Sequence, residues 1–373
     1  MKNLWRHIVV AIPALIVTLL GYSQTANKPF QDPLDTAAVR EFGFRGLTNQ
    51  PMMAIANAGS RIVAVGLRGL IIYSDNGGQS WQQAHVPVQT DLVAVQFVNA
   101  SQGWATGHDA VILHSEDGGL TWTKQLDNRG AAIVFPAFYA SKLAEGDVAA
   151  AEYLKEVKLN TEGDTSLPFL SVYFSDSQHG IAVGSFGMIV ATTDGGRHWL
   201  PWLDHIDNKG FLNLNAIKKI GDDLIIVGEQ GSVYRYDAAK QYFVAVGTHY
   251  KGSFFDVAGT DRFLLAVGLR GTIYRSADRG ATWLHVNAPV KDSFTSAQVS
   301  LDGTTTALAT SGGNLLLSRD NGLTFHSTPV SHPTLFTALD LIDTRHFVLA
   351  GIQGMSLEQA GQQNVTVTHE VSQ

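Results

Sequence analysis

The sequence contains no cysteine. That excludes disulfides, thiolate metal sites, a cysteine nucleophile and a lipidated cysteine anchor. An excess of positive charge is also lacking: 26 Lys and Arg against 33 Asp and Glu leave a net charge of −7. No nucleic-acid partner is expected from that balance. The chain has no Walker motif, dinucleotide fingerprint, nucleophile elbow, His-Glu-x-x-His run or EF-hand loop. Its 13 histidines are scattered. The expectation is therefore no metal, no cofactor and no small-molecule substrate.

The one long apolar run, Ile8 to Leu20, is shorter than the ~20 residues a membrane span needs. Behind Lys2 and Arg6 it reads as a signal peptide over residues 1–23, with Gly21 and Ser23 permitting cleavage after Ser23. An uncleaved anchor is the alternative. Either reading places the body in the periplasm or otherwise outside the cytoplasm. Residues 24–49, with Pro29 and Pro33, read as a linker.

Glycine is abundant, at 37 residues, and it recurs with a period. A strand-like segment ends in Gly-x-x-Gly, a Ser or Thr follows five residues on, and Trp comes seven residues later. Gly66-Leu67-Arg68-Gly69 with Ser74 and Trp81 is one copy; Gly268-Leu269-Arg270-Gly271 with Ser276 and Trp283 is another. The fourth turn position falls at 69, 110, 187, 231, 271, 313 and 354. Six near-equal intervals, one carrying an insertion, predict seven units. The predicted fold is all-β: a seven-bladed β-propeller over residues 50–373, with four-stranded antiparallel blades and one helical insertion, 127–168. In the first blade the strands are expected at 52–56, 61–65, 70–74 and 80–84. Asn364 to Val371 should close the last blade, with Val39 to Phe44 as the competitor.

The turn between the third and fourth strands has the form Ser-x-Asp-x-Gly-x-Thr-Trp. It is carried by Ser74, Asn76 and Trp81; Ser115, Asp117 and Trp122; Thr192, Asp194 and Trp199; Ser276, Asp278 and Trp283; and Ser318, Asp320 and Phe325. The aspartate accepts amide bonds inside the turn, glycine supplies positive φ, and the aromatic packs between sheets. Recurrence in five units assigns these residues to structure. At Tyr236 to Phe243 the box is lost, Ala238 and Lys240 standing at the Asp and Gly positions.

These residues are the Asp-box, or BNR, repeat. With the Ala-Val-Gly-Leu-Arg-Gly run they resemble the photosystem II assembly and stability factor-like propellers, in an exported bacterial branch. The resemblance implies a non-catalytic factor that holds a membrane protein during assembly, and it points to RND/MMPL-type transporters as partners of the bacterial branch. Sialidases and carbohydrate-binding proteins share the repeat, so a glycoside hydrolase is the alternative. Its arginine triad would draw on Arg68 and Arg270, but Phe44-Arg45-Gly46 does not match the family's early arginine motif, and no third arginine or Tyr/Glu pair is evident.

Successive turns of a blade alternate between propeller faces, so the Gly-x-x-Gly turns share the face opposite the boxes. Their middle residues are candidate partner contacts: Arg68, His108, Asp109, Phe186, Glu229, Gln230 and Arg270. The insertion should emerge on that same face as an amphipathic hairpin. Asp147 is expected to cap a helix with Val148, Ala151, Leu154 and Val157 as its apolar stripe, after a short helix over 137–144.

Overall fold

Short apolar segments alternate here with Gly- and Asx-rich turns, and in the computed structural model each becomes a strand. The structure describes residues 30–39, 46–163 and 167–360. Blade 1 holds β1 (Met52–Ala58), β2 (Arg61–Gly66), β3 (Ile71–Ser74) and β4 (Gln82–Gln83). Blade 2 holds β5 (Leu92–Phe97), β6 (Gly103–Gly107), β7 (Ile112–Ser115) and β8 (Thr123–Leu126). Then come α1 (Asn128–Ala144) and α2 (Ala150–Thr161). Blade 3 is β9 (Phe169–Phe174), β10 (Gly180–Gly184), β11 (Ile189–Thr192) and β12 (Leu200–Pro201). Blade 4 is β13 (Leu214–Ile220), β14 (Asp223–Gly228), β15 (Val233–Asp237) and β16 (Tyr242–Val246). Blade 5 is β17 (Phe254–Thr260), β18 (Phe263–Gly268), β19 (Thr272–Ser276) and β20 (Leu284–Val286). Blade 6 is β21 (Phe294–Val299), β22 (Thr306–Thr310), β23 (Leu315–Ser318) and β24 (His326–Thr328). Blade 7 is β25 (Phe336–Leu341), β26 (His346–Gly351) and β27 (Gly354–Gln359).

All seven sheets are antiparallel meanders, as the repeat predicts. The ring closes where β1 packs against β25 and β26, with Thr337 Oγ1 donating to the Met52 carbonyl at 2.6 Å. The expected closing strand at 364–371 lies outside the described residues, as does all of its competitor except Val39. The signal-peptide segment lies outside them too.

Each inner strand begins with a large buried residue followed by a register shift: Met52, Leu92, Phe169, Leu214, Phe254, Phe294 and Phe336. The shift bends the strand as it enters the centre of the ring. It also brings the inner strand's entrance against the first glycine of the Gly-x-x-Gly turn. A Cβ on Gly66 would stand 2.3 Å from the Pro51 carbonyl oxygen. Close backbone approach, rather than backbone freedom, therefore fixes that glycine.

The blade 2–3 seam is built on stacked rings. Trp104 is fully buried, stacked between Phe174 (centroids 3.5 Å apart) and His114 (4.7 Å), and Trp199 meets Phe174 edge-on. Burial pushes the His114 imidazole below its ordinary value of 6.5, and its Nε2 has no hydrogen-bond partner among the described residues. The folded state thus holds His114 neutral, while the unfolded chain takes up a proton once pH falls below that ordinary value. Stability contributed by neutral His114 is complete above it and declines toward the lower folded value. Thermal midpoints should fall between pH about 7.5 and about 5.5, and His114→Gln should flatten that part of the profile.

The insertion departs from its sequence reading. The first helix starts at Asn128, not 137, because Asp127 caps it by accepting from the Gly130 amide at 3.1 Å. Pro136 lies inside it without ending it. In the second helix Asp147 accepts from the Ala149 amide, but the helix begins at Ala150 and the cap position is Ala149. Val148 is 83% exposed and outside the apolar face. That face is Ala150, Tyr153, Leu154 and Val157, because a strict spacing of three drifts off a helix with 3.6 residues per turn. α1 covers β12, the outer strand of blade 3, which protects an edge from pairing.

Candidate functional site

Two sets of turns were singled out by sequence, and the structure gives them different chemistry. In the box of blade 2, Asp117 Oδ1 accepts from Ser115 Oγ (2.9 Å) and from the amides of Leu120 (3.0 Å) and Thr121 (2.9 Å). Oδ2 accepts from Thr121 Oγ1. The boxes of blades 3, 5 and 6 repeat the pattern. Bonds from the hydroxyl and amide of Thr282 hold the Asp278 carboxyl down at about 2. At Asp194 the His198 ring does the same. Both oxygens of each carboxylate are engaged in the local turn, so these aspartates stabilise the fold down to acidic pH. Each aromatic packs against the preceding blade; Trp122, Trp199, Trp283 and Phe325 are buried, and Trp81 is half-buried. Where blade 4 lacks the box, Asp237 accepts from the Ala239 and Lys240 amides and pairs with the Lys240 ammonium at 2.8 Å.

The turns of blades 1 to 5 have φ signatures of type I′ hairpins, whereas in blades 6 and 7 only the fourth position, Gly313 and Gly354, is left-handed. In blade 1 both central residues are left-handed, Arg68 at φ 56° and Gly69 at φ 72°, and the Leu70 amide donates to the Leu67 carbonyl at 3.1 Å. Glycine at the fourth position meets this requirement without cost. The third position does not: Arg68, Asp109, Phe186, Gln230 and Arg270 all have φ between 52° and 56°. Such a conformation costs a non-glycine residue roughly 1–2 kcal/mol. Polar side chains from the next blade hold several of these tips. Asp91 accepts from the Arg68 amide at 2.8 Å, Asn213 from Phe186 at 2.6 Å, and Ser293 from Arg270 at 3.2 Å.

The seven candidate contacts separate accordingly. Arg68, Phe186, Gln230 and Arg270 project from their tips and are exposed. Asp109 is half-buried, accepts from Thr90 Oγ1 at 2.6 Å, and its carbonyl accepts from Asn128 at the start of the insertion. His108 beside it is also half-buried. Glu229 braces its own blade by accepting from the Asn213 amide at 2.9 Å. The left-handed conformation at these tips was not legible in sequence, since Arg and Phe carry no signal for positive φ.

The central channel, a cavity of about 460 Å³, is lined by the inner strands. Lys218 Nζ pairs there with Asp256 Oδ1 at 2.7 Å. Asn57 Nδ2 donates to Asp340 at 2.6 Å, and burial pushes the Asp340 carboxyl above its ordinary range. No arginine is among the lining residues. Arg68 and Arg270 lie on separate turn tips, in blades 1 and 5, rather than converging on one carboxylate. Lys124 of β8 is clasped by Asp35 (2.9 Å), Asp127 (2.8 Å) and the Leu34 carbonyl (2.7 Å).

A family model described as the photosynthesis system II assembly factor YCF48 matches residues 49–132 and 147–314. The chain belongs to that family. The resemblance carried by the boxes and Leu-Arg turns is thereby shown, and the match breaks within the helical insertion. The Photosystem II assembly protein Ycf48 of Synechococcus sp. (strain JA-3-3Ab) is 31% identical over 173 residues, covering 41% of this chain and 48% of its own. That of strain JA-2-3B'a(2-13) is 30% identical over 174 residues, with 41% and 49% coverage. The chain thus spans about half the length of these curated relatives.

Among solved structures, YCF48 bound to D1 peptide superposes with a TM-score of 0.61 at 16% identity, covering 84% of this chain and 94% of that one. YCF48 from Cyanidioschyzon merolae gives 0.59 at 15% identity, with 84% and 96% coverage. The WD40 β-propeller domain of Doa1 gives 0.58 at 8%, with 89% and 97% coverage. At such identities these likenesses establish the propeller fold alone.

Proposed function

We propose that this propeller is a non-catalytic, extracytoplasmic scaffold that holds a protein partner on the face bearing the type I′ turns. The partner is a subunit of a membrane-protein complex, and the protein serves as an assembly or accessory factor for it. The observation that carries this reading is the run of left-handed non-glycine tips in blades 1 to 5. Strained conformations persist where the surroundings enforce them and concentrate at recognition sites. Arg68, Phe186, Gln230 and Arg270 present two guanidinium forks, a 51%-exposed phenyl ring and an amide on rigid turns. Guanidinium and aromatic groups are the common anchors of protein interfaces.

Membership of an assembly-factor family supports the same reading, as does a relative solved with a bound peptide. The sequence resemblance extends it to RND/MMPL-type transporters as the bacterial partner. The arginines sit in blades 1 and 5, roughly 150° apart around a seven-fold ring, so they suit two ends of a broad surface.

The test is partner capture from native membranes by the full chain, quantified by mass spectrometry. Arg68→Glu or Arg270→Glu should weaken capture about 30-fold, equivalent to about 2 kcal/mol. Arg319→Glu, an exposed box-face charge, should leave it unchanged. Equal loss from both faces, or loss from Arg319→Glu alone, would reject the proposed surface.

A further inference from the structure

The chain's own residues 32–39 show what an outer seam between two blades can hold. They run antiparallel to residues 83–89 of blade 1: the Ala38 backbone amide donates to the Val86 carbonyl and the Gln89 backbone amide to that of Pro33, while the Gln83 side-chain Nε2 donates to the Val39 carbonyl. Leu34 is buried in the cluster that contains Ala84, Val86, Val88 and Trp122 of blade 2. Under this strap Ala84, Val86 and Val88 are 2%, 5% and 0% exposed.

The repeat places the same construction between blades 5 and 6. Counting from Ser74 and Ser276, Val286, Ala288 and Val290 occupy the positions of Ala84, Val86 and Val88, and Pro289 that of Pro87. Phe325 stands where Trp122 does. No described segment covers this seam: Val286, Ala288 and Val290 are only half-buried, and Leu284 and Leu323 beside them are 73% and 56% exposed. A groove of about 610 Å³ runs along it. Two substitutions set it apart from its occupied counterpart. His285 replaces Gln83, which holds the Val39 end of the strap, and Arg275 replaces Tyr73 next to it. Among the described residues these are the only charged or ionisable side chains lining the groove, and no carboxylate lines it.

We infer that the blade 5–6 groove is a second docking site, for an extended segment of a partner protein that copies the strap. Such a segment carries a branched apolar side chain at the position of Leu34 and an acidic side chain at that of Val39, where His285 meets it in place of Gln83. Arg275, which donates to the Asn321 carbonyl at 2.8 Å, adds positive charge on the blade 6 side of the groove. Main-chain pairing to residues 285–291 supplies affinity, and the apolar slot and basic end supply specificity. This site is distinct from the turn-tip face and stands or falls separately from it.

The test is fluorescence polarisation of the full chain with a labelled, amidated peptide of the sequence of residues 32–39 bearing V39E. It should bind saturably, and at least tenfold tighter than the unsubstituted peptide. His285→Glu should weaken it tenfold or more, with an unchanged thermal midpoint showing the fold intact; Arg68→Glu should not affect it. No saturable binding, or binding indifferent to His285→Glu, would overturn the site. Tighter binding by an unlabelled peptide of residues 361–373 would identify the chain's own tail as occupant and overturn the partner assignment.

Discussion

Trp122→Ala is expected to destabilise the propeller by about 3–5 kcal/mol, the range for emptying a buried large aromatic site. Trp122 is 4% exposed, lies edge-on to Phe97 at 5.9 Å, and its Nε1 donates to the Gly119 carbonyl at 3.0 Å. Its removal opens the seam between blades 1 and 2 and leaves that buried carbonyl without its donor. Asp117→Ala should cost less, about 1–2 kcal/mol. Three of the bonds lost come from the exposed Leu120 and Thr121 groups, which water can satisfy, and the fourth from Ser115 Oγ, which still accepts from the Gly119 amide. Urea unfolding of both variants measures the order. Were Asp117→Ala to leave stability intact and abolish partner capture, the boxes would be functional groups rather than turn fasteners.

The properties that repeat were the ones legible in the sequence. Seven spaced copies fix blade number, and a box such as Ser115 to Trp122 names its own hydrogen bonds because acceptor and donors lie within a few residues. Contacts made only once were not legible. Residues 32–39 have no strand-like alternation, and their reading as linker gave no hint of their hold on blade 1 or of Arg129 gripping Asp35 and Asp127. Arg129 and Lys124 hold the Asp127 carboxyl at about 2 against the opposing effect of its burial, and Asp35 joins them from 94 residues away along the chain. Proline normally breaks a helix, yet α1 runs through Pro136. Phe135 and Tyr139, on either side of Pro136, are both fully buried, and their burial holds the helix through it. The left-handed tips were missed for a third reason: the neighbouring blade enforces them through Asp91, Asn213 and Ser293.

Tyr139→Ala should be as costly as Trp122→Ala, about 3–5 kcal/mol, but with a local signature. Tyr139 is fully buried. Its hydroxyl donates to Asp204 at 3.0 Å and accepts from the Leu203 amide at 2.8 Å. Burial, reinforced by the Asp204 charge, pushes the phenol well above its ordinary value, so the group stays protonated as a donor. Lys142, one turn further along α1, pairs with the same aspartate. The helix is therefore latched to the segment after β12 by one ring and one carboxylate. Tyr139→Phe keeps the ring and strands the Leu203 amide and an Asp204 oxygen, at a cost of about 1–3 kcal/mol. Hydrogen exchange separates local release from global loss. In Tyr139→Ala, protection should fall in α1, α2 and residues 203–206, and next at the blade 2–3 seam that shares their core. Blades 5 to 7, which draw on other clusters, should exchange as in the parent. Uniform loss across all blades would mean that the insertion is part of the folding core rather than a docked appendage.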